Sequence, residues 1–163
     1  MLVLGIDPGI AITGFGLIGL DSAGNPELVT FGVIDTTAVR ETSSRLISLY
    51  DQLEALLQAY HPDECALEKL YFSKNISTAM AVGEARGVIQ LCLARAGLQP
   101  GEYAPNEIKQ AVTSYGNAGK HQVQEMVRLT LRLEQIPQPD DAADALAIAL
   151  CHQGRSRIQS LEK

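Results

Sequence analysis

The chain has 163 residues, 46% of them hydrophobic and 20% charged, and its formal net charge is −6. That length fits one domain with a real core and excludes two ordinary ones; no segment reaches the roughly 18 uninterrupted apolar residues of a membrane span, so a soluble, cytoplasmic protein is expected. The net acidity argues at face value against a nucleic-acid partner, yet residues 1–68 carry two basic and ten acidic groups while residues 69–132 carry eight basic and four acidic, which reads either as solvated helix faces or as a basic half that meets a polyanion.

The first element is an apolar strand within Leu2 to Gly9, LVLGIDPG, stopped by Pro8-Gly9. Leu2, Leu4 and Ile6 alternate with Val3, Gly5 and Asp7, so both faces are apolar until Asp7, as befits a strand in a sheet centre. A carboxylate there needs a cation, hydrogen-bond donors or water. Ile10 to Leu20 and Leu28 to Thr36 alternate as a second and third strand around the turn Asp21–Pro26, which predicts an antiparallel meander. Ser43 or Ser44 can cap a helix whose stripe is Leu46, Leu49, Tyr50, Leu53, Leu57 and Tyr60, and His61-Pro62 ends it. Glu64 to Leu70 is a short apolar run after a helix, hence a buried parallel strand with Glu68 near its end.

Asn75 to Ala96 is helical and rich in small residues, with more apolar surface than one sheet face can cover. Gln99 to Ala104 reads as a fifth strand, and Pro105 starts a short helix bearing Lys109. A glycine-bearing loop, 114–119, leads into a helix from Lys120 to about Leu133. Pro139-Asp140-Asp141 opens the last helix, ending at about His152, with a frayed tail over 154–163 and a single domain over 1–153. Cys65, Cys92 and Cys151 are odd in number and sit in apolar stretches, which suits buried thiols and indicates neither a zinc site nor a disulfide framework.

Asp7 and Glu68 stand at the ends of two buried strands, and Asp141 and Asp144 share one face of the first turn of the last helix. Four carboxylates can therefore meet, and two such charges at ~4 Å repel by roughly 4 kcal/mol at an effective dielectric of ~20, so a cluster needs bound cations or protonation. All-oxygen donors select Mg²⁺ first and tolerate Mn²⁺; a pair of such ions suits phosphodiester hydrolysis. The plainer readings stay open: Asp141 and Asp144 as helix caps, Asp7 as a turn residue. Gly9, Gly14 and Gly16 lack the following helix and Gly-Lys-Ser/Thr ending of a phosphate loop, so they serve turn geometry and close backbone approach. His121 is either a proton shuttle or a solvated histidine. Tyr71 and Phe72, followed by Lys74, either stack on an exposed base or cover the core.

The segments LGIDPG, ALEKLYFSKN, GEARGV, KHQVQEMVR and DAADALAIAL, in this order, resemble the RuvC family of Holliday-junction resolvases from Leu2 to about His152. The resemblance implies a ribonuclease H-like fold, a five-stranded mixed sheet with helices on both faces. It also implies a homodimeric Mg²⁺-dependent endonuclease that nicks two opposed strands of four-way junction DNA, leaving a 5′-phosphate and 3′-hydroxyl. By motif position its acidic ligands fall on Asp7, Glu68, Asp141 and Asp144, its basic DNA contacts on Lys109 and Lys120, and its junction-probing aromatic on Tyr71 or Phe72; Lys74, close after these aromatics, is expected to contact DNA as well. Its partners would be the RuvA and RuvB branch-migration proteins. Competing readings are a related nuclease acting on RNA or flaps, a non-catalytic junction-binding module, and an actin-like ATP-binding protein, which would need a second lobe.

Overall fold

The computed structural model describes residues 1–69 and 76–161. A five-stranded sheet in the order β3-β2-β1-β4-β5 is built from β1 (Val3–Asp7), β2 (Ile12–Leu20), β3 (Pro26–Asp35), β4 (Glu64–Glu68) and β5 (Gly101–Tyr103). β1 pairs antiparallel with β2, and β2 with β3, whereas β1 with β4 and β4 with β5 are parallel. The meander closes locally: the Asp21 carboxylate accepts the backbone N–H groups of Ala23 and Asn25 at 2.9 and 2.8 Å, which forms the β2–β3 turn. The parallel pairs need crossovers, supplied by α1 (Thr42–Tyr60) and α2 (Ile76–Arg95) on one side of the sheet.

α1 buries Leu49, Leu53 and Leu57, as its periodicity requires, while Tyr60 at the end of the expected stripe is exposed. Its N-cap is Glu41, with no side-chain cap bond, rather than Ser43 or Ser44; both serines lie inside the first turn, and the Ser44 hydroxyl turns back to the Glu41 carboxylate at 3.3 Å. His61 takes the left-handed conformation, φ 47°, and ends the helix where expected. Leu4, Ile6, Leu17, Cys65 and Leu67 from the sheet pack with α1 and α2 in one core layer. Val3, Ile18 and Ala66 face the other way, against α3 (Pro105–Thr113), α4 (Lys120–Thr130) and α5 (Asp140–Leu161). All three cysteines are buried and free. Among the described residues no helix is long and apolar enough to cross a membrane.

α5 lies directly on β1 and β2 because both sides of that contact are stripped of bulk. An added Cβ at Gly5 would overlap the Ala145 carbonyl and come within 2.6 Å of the Ala149 nitrogen; one at Gly16 would come within 2.6 Å of the Leu146 side chain. The facing Ala142, Ala145 and Ala149 are fully buried. This pairing of glycine on the strands with alanine on the helix sets how close α5 comes to the sheet.

α5 continues through Gly154 to Leu161, nine residues past the expected end at about His152. Its extension is tethered by polar contacts that the apolar periodicity does not show. Gln153, 2% exposed, donates to the Gly19 carbonyl at 2.9 Å, Ser156 donates to Glu64 at 2.7 Å, and Arg155 pairs with Glu107 at 2.8 Å. His152 lies 2.9 Å from Glu64 through Nε2 and 2.7 Å from the Tyr103 hydroxyl through Nδ1. Burial lowers the His152 pKa, so the neutral ring donates from Nε2 to Glu64 and accepts from Tyr103 at Nδ1. Against these contacts, the roughly 1 kcal/mol disadvantage of one helical glycine is small.

Gly5→Ala should therefore destabilise the fold by about 1–3 kcal/mol, the usual range for overpacking, read at one fixed pH as a lower urea midpoint with an unchanged slope. An unchanged midpoint would mean that α5 does not need this approach.

Candidate active site

β1 delivers Asp7 to the sheet edge and stops at Pro8-Gly9. The buried Thr13 hydroxyl donates to the Gly9 carbonyl at 2.6 Å and accepts its N–H at 3.3 Å, tying the turn after Asp7 onto β2. On the parallel side, Gly5 pairs with Ala66 and Ile6 with Leu67, a register that sets Glu68 beside Asp7 on the same face, one strand spacing of about 4.8 Å away. On the antiparallel side, Asp7 pairs with Gly14, and a Cβ at Gly14 would overlap the Asp141 carbonyl. The missing side chain lets the first turn of α5 descend beside Asp7, with Asp144 three residues on and on the same face as Asp141.

The charges sense one another. Burial, then Asp144, Glu68 and Asp141, push the Asp7 carboxyl up to about 7, with Lys120 opposing. Glu68 is raised by burial and then by Asp144, against Lys109 and Arg86. Asp144 is raised by burial, opposed by Lys120. Asp7, Glu68 and Asp144 line one cavity of about 270 Å³ whose walls include Lys109 and Lys120. A second cavity of about 180 Å³ meets the first at Asp7 and Glu68 and includes Lys69 and Arg86.

Of the residues expected at a site, Asp7, Glu68, Asp144, Lys109 and Lys120 thus converge. Asp141 acts on Asp7 through its charge but does not line the cavity. Among the described residues no three His, Cys, Asp or Glu side chains stand close enough together to hold a metal ion; the Lys120 ammonium instead contacts Asp140 at 3.1 Å and Asp144 at 3.2 Å. His121 is exposed and lines neither cavity, in keeping with a solvated histidine. The expected roles of Tyr71, Phe72 and Lys74 lie outside the described residues.

Sequence reasoning passed over two supports. Arg86, 9% exposed, donates to the Glu68 main-chain carbonyl and pairs with Glu102 at 2.7 Å, fixing the end of β4 against α2. Asp140 accepts from the buried Gln124 at 3.1 Å as well as from Lys120. An arginine inside an apolar helical stripe was the available signal for the first, and a lysine and glutamine four apart for the second.

The model of the family described as crossover junction endodeoxyribonuclease RuvC matches residues 3–152. The chain is 52% identical to the crossover junction endodeoxyribonuclease RuvC of Roseiflexus sp. (strain RS-1) over 149 residues, covering 91% of this chain and 88% of that one. It is 48% identical to the protein of the same name from Thermomicrobium roseum, covering 100% of this chain and 99% of the other. Its fold is similar to that of Thermus thermophilus RuvC in complex with Holliday junction substrate, with a TM-score of 0.91, 33% identity, and coverage of 98% and 96%. The sheet and its flanking helices are accordingly the ribonuclease H-like arrangement.

The raised Asp7 carboxyl has a consequence for stability. Folded, it titrates at about 7, and its ordinary value is 3.8, so between these values the folded protein binds more protons than the unfolded chain and loses stability as pH rises. In chelator-treated protein, Asp7→Asn should be as stable as the parent near pH 4 and increasingly more stable toward pH 8. A stability difference that stays constant across that window, measured by urea unfolding, would contradict the assignment.

Proposed function

Because the chain belongs to the RuvC family of crossover junction endodeoxyribonucleases, we propose that it resolves four-way (Holliday) DNA junctions in recombination and repair by hydrolysing one phosphodiester in each of two opposed strands. The observation that carries this reading is the meeting of Asp7, Glu68 and Asp144 in a cavity walled by Lys109 and Lys120, with carboxylates raised in pKa by burial and by one another. Such a donor set is all oxygen, and its anionic form is held back by repulsion, so a hard divalent cation is the ligand its chemistry suits, and binding one would draw together carboxylates that stand farther apart here. Asp7, Glu68, Asp141 and Asp144 would hold Mg²⁺, with Mn²⁺ as a substitute; when bound, two such ions offset the carboxylate charge, activate water and stabilise the departing 3′ oxygen, leaving a 5′-phosphate and a 3′-hydroxyl.

The protein's own part is positioning. Arg86 anchors the strand end that carries Glu68, Thr13 closes the turn behind Asp7, and the glycine-lined descent of α5 brings Asp144 alongside. Lys109 and Lys120 supply positive charge for the phosphates flanking the cut. Tyr71, Phe72 and Lys74, in the segment after Glu68, are proposed as junction contacts. The nuclease unit is proposed as a single domain, residues 1–153 together with the remainder of α5, and RuvA and RuvB as its branch-migration partners.

Paired cleavage calls for two sites, and we assign the second to another copy of this chain. α2 leaves Met80, Glu84, Gly87, Leu91 and Ala94 exposed at alternating spacings of four and three, one continuous stripe, with Met80 64% and Leu91 56% exposed. A closed two-fold dimer buries the same stripe from both copies and relates the two acidic clusters by symmetry.

Three outcomes are expected. Purified protein should nick synthetic four-way junctions with Mg²⁺ and not with chelator, in preference to duplex, flap or RNA–DNA hybrid. Asp7→Asn, Glu68→Gln, Asp141→Asn and Asp144→Asn should each abolish nicking while junction binding persists; full activity in any one removes that residue from the site. Among the described residues nothing lies within 4 Å of a Cβ built at Gly87, so Gly87→Arg should leave the protomer folded, yield monomers in sedimentation, and replace paired incision by single nicks. A Gly87→Arg dimer with paired incision would rule out this interface.

A further inference from the structure

Lys120 is shared between two carboxylates of different standing. Asp144 lines the cavity and belongs to the acidic cluster; Asp140, the first residue of α5, does not line it. Asp140 is itself held from a second direction, since Gln124, one turn along α4 from Lys120 and 7% exposed, donates to its Oδ1 at 3.1 Å while Lys120 contacts Oδ2. Lys120 and Gln124 thus straddle Asp140, and each oxygen of that carboxylate has one partner.

We infer that Asp140 is a positioning residue that retains the Lys120 ammonium at the rim of the carboxylate cluster when Asp144 is engaged by its other ligands. This rests on the nuclease reading above. A lysine on a four-carbon stem, 54% exposed, has many rotamers open to it. If Asp144 were its sole anchor, any cation taken up by Asp144 would release Lys120 at the stage when the phosphate needs it. Asp140 stands outside the cluster and keeps its contact. The buried amide of Gln124 fixes the aspartate that fixes the lysine.

Simple electrostatics points the opposite way, which makes the inference testable. An acid beside a DNA-binding face repels phosphate, so on charge alone Asp140→Asn should tighten junction binding and leave cleavage unslowed. As a positioning residue, Asp140 requires that Asp140→Asn cut the single-turnover rate at saturating enzyme about fivefold without weakening binding, and that Asp140→Glu restore most of it. The loss should vanish in a Lys120→Met background, because the effect passes through Lys120. A second measurement needs no DNA or metal: amine acylation followed by mass spectrometry should label Lys120 faster in Asp140→Asn than in the parent, with Lys69 as internal reference.

Equal slowing by Asp140→Asn in the presence and absence of Lys120, or unchanged labelling of Lys120, would overturn the inference. If the parent protein failed to cut junctions at all, the nuclease reading would fall by itself, and the labelling comparison would still decide whether Asp140 holds Lys120.

Discussion

The close descent of α5 onto the centre of the sheet is the constraint on which the candidate site depends. Gly5, Gly14 and Gly16 on the strands face Ala142, Ala145, Leu146 and Ala149 on the helix, and added Cβ atoms at these glycines would collide with α5 backbone or side-chain atoms. The same contact serves packing and chemistry. Gly14 is the antiparallel partner of Asp7, so the glycine that admits the helix also determines that the helix arrives beside that carboxylate. A wider separation, as ordinary β-branched strand residues would impose, would part Asp7 from Asp144.

Bringing carboxylates together in this way is unfavourable in itself, and the structure shows how that repulsion is managed. Asp7, the most enclosed, is pushed up to about 7 by burial and by its acidic neighbours. Cations stand at the periphery: Lys120 between Asp140 and Asp144, Lys109 on the cavity wall, Arg86 behind Glu68. Arg86 spends its hydrogen bonds on the Glu68 main chain and on Glu102, so it secures the strand and leaves the Glu68 carboxylate free to serve the cavity. Far from the site, Glu64, at the other end of β4, takes up His152 and Ser156, and Arg155 reaches Glu107 on the helix that carries Lys109. β4 is thereby held at both ends, and the chain segments that flank the cavity are tied to one long helix.

The antiparallel meander, the parallel strand that follows the first helix and the placing of Asp7 and Glu68 at strand ends were legible in the chain, because alternation, turn residues and crossover length are read from neighbouring residues. Alternation with a Pro-Gly stop marks β1, a turn rich in Asp, Gly and Asn marks the β2–β3 hairpin, and an apolar run after a helix marks β4 as parallel. Element ends were less legible. The serines near residue 43 offered caps that the helix did not use, and α5 ran on through a glycine because its partners, Glu64 and Glu107, are 92 and 48 residues away in sequence.

What the sequence by itself determined is the set of elements, the glycine and alanine positions that permit close packing, and which carboxylates end buried strands or open the last helix. These follow from periodicity and side-chain size, which are properties of neighbouring residues. What only the tertiary structure decided is which carboxylate each cation meets: that Lys120 divides itself between Asp140 and Asp144, that Arg86 takes a main-chain carbonyl instead of a carboxylate, and that Asp141 stays off the cavity wall. Charge acts through space, with a strength set by distance and burial, so the pairing of ions waits on the fold.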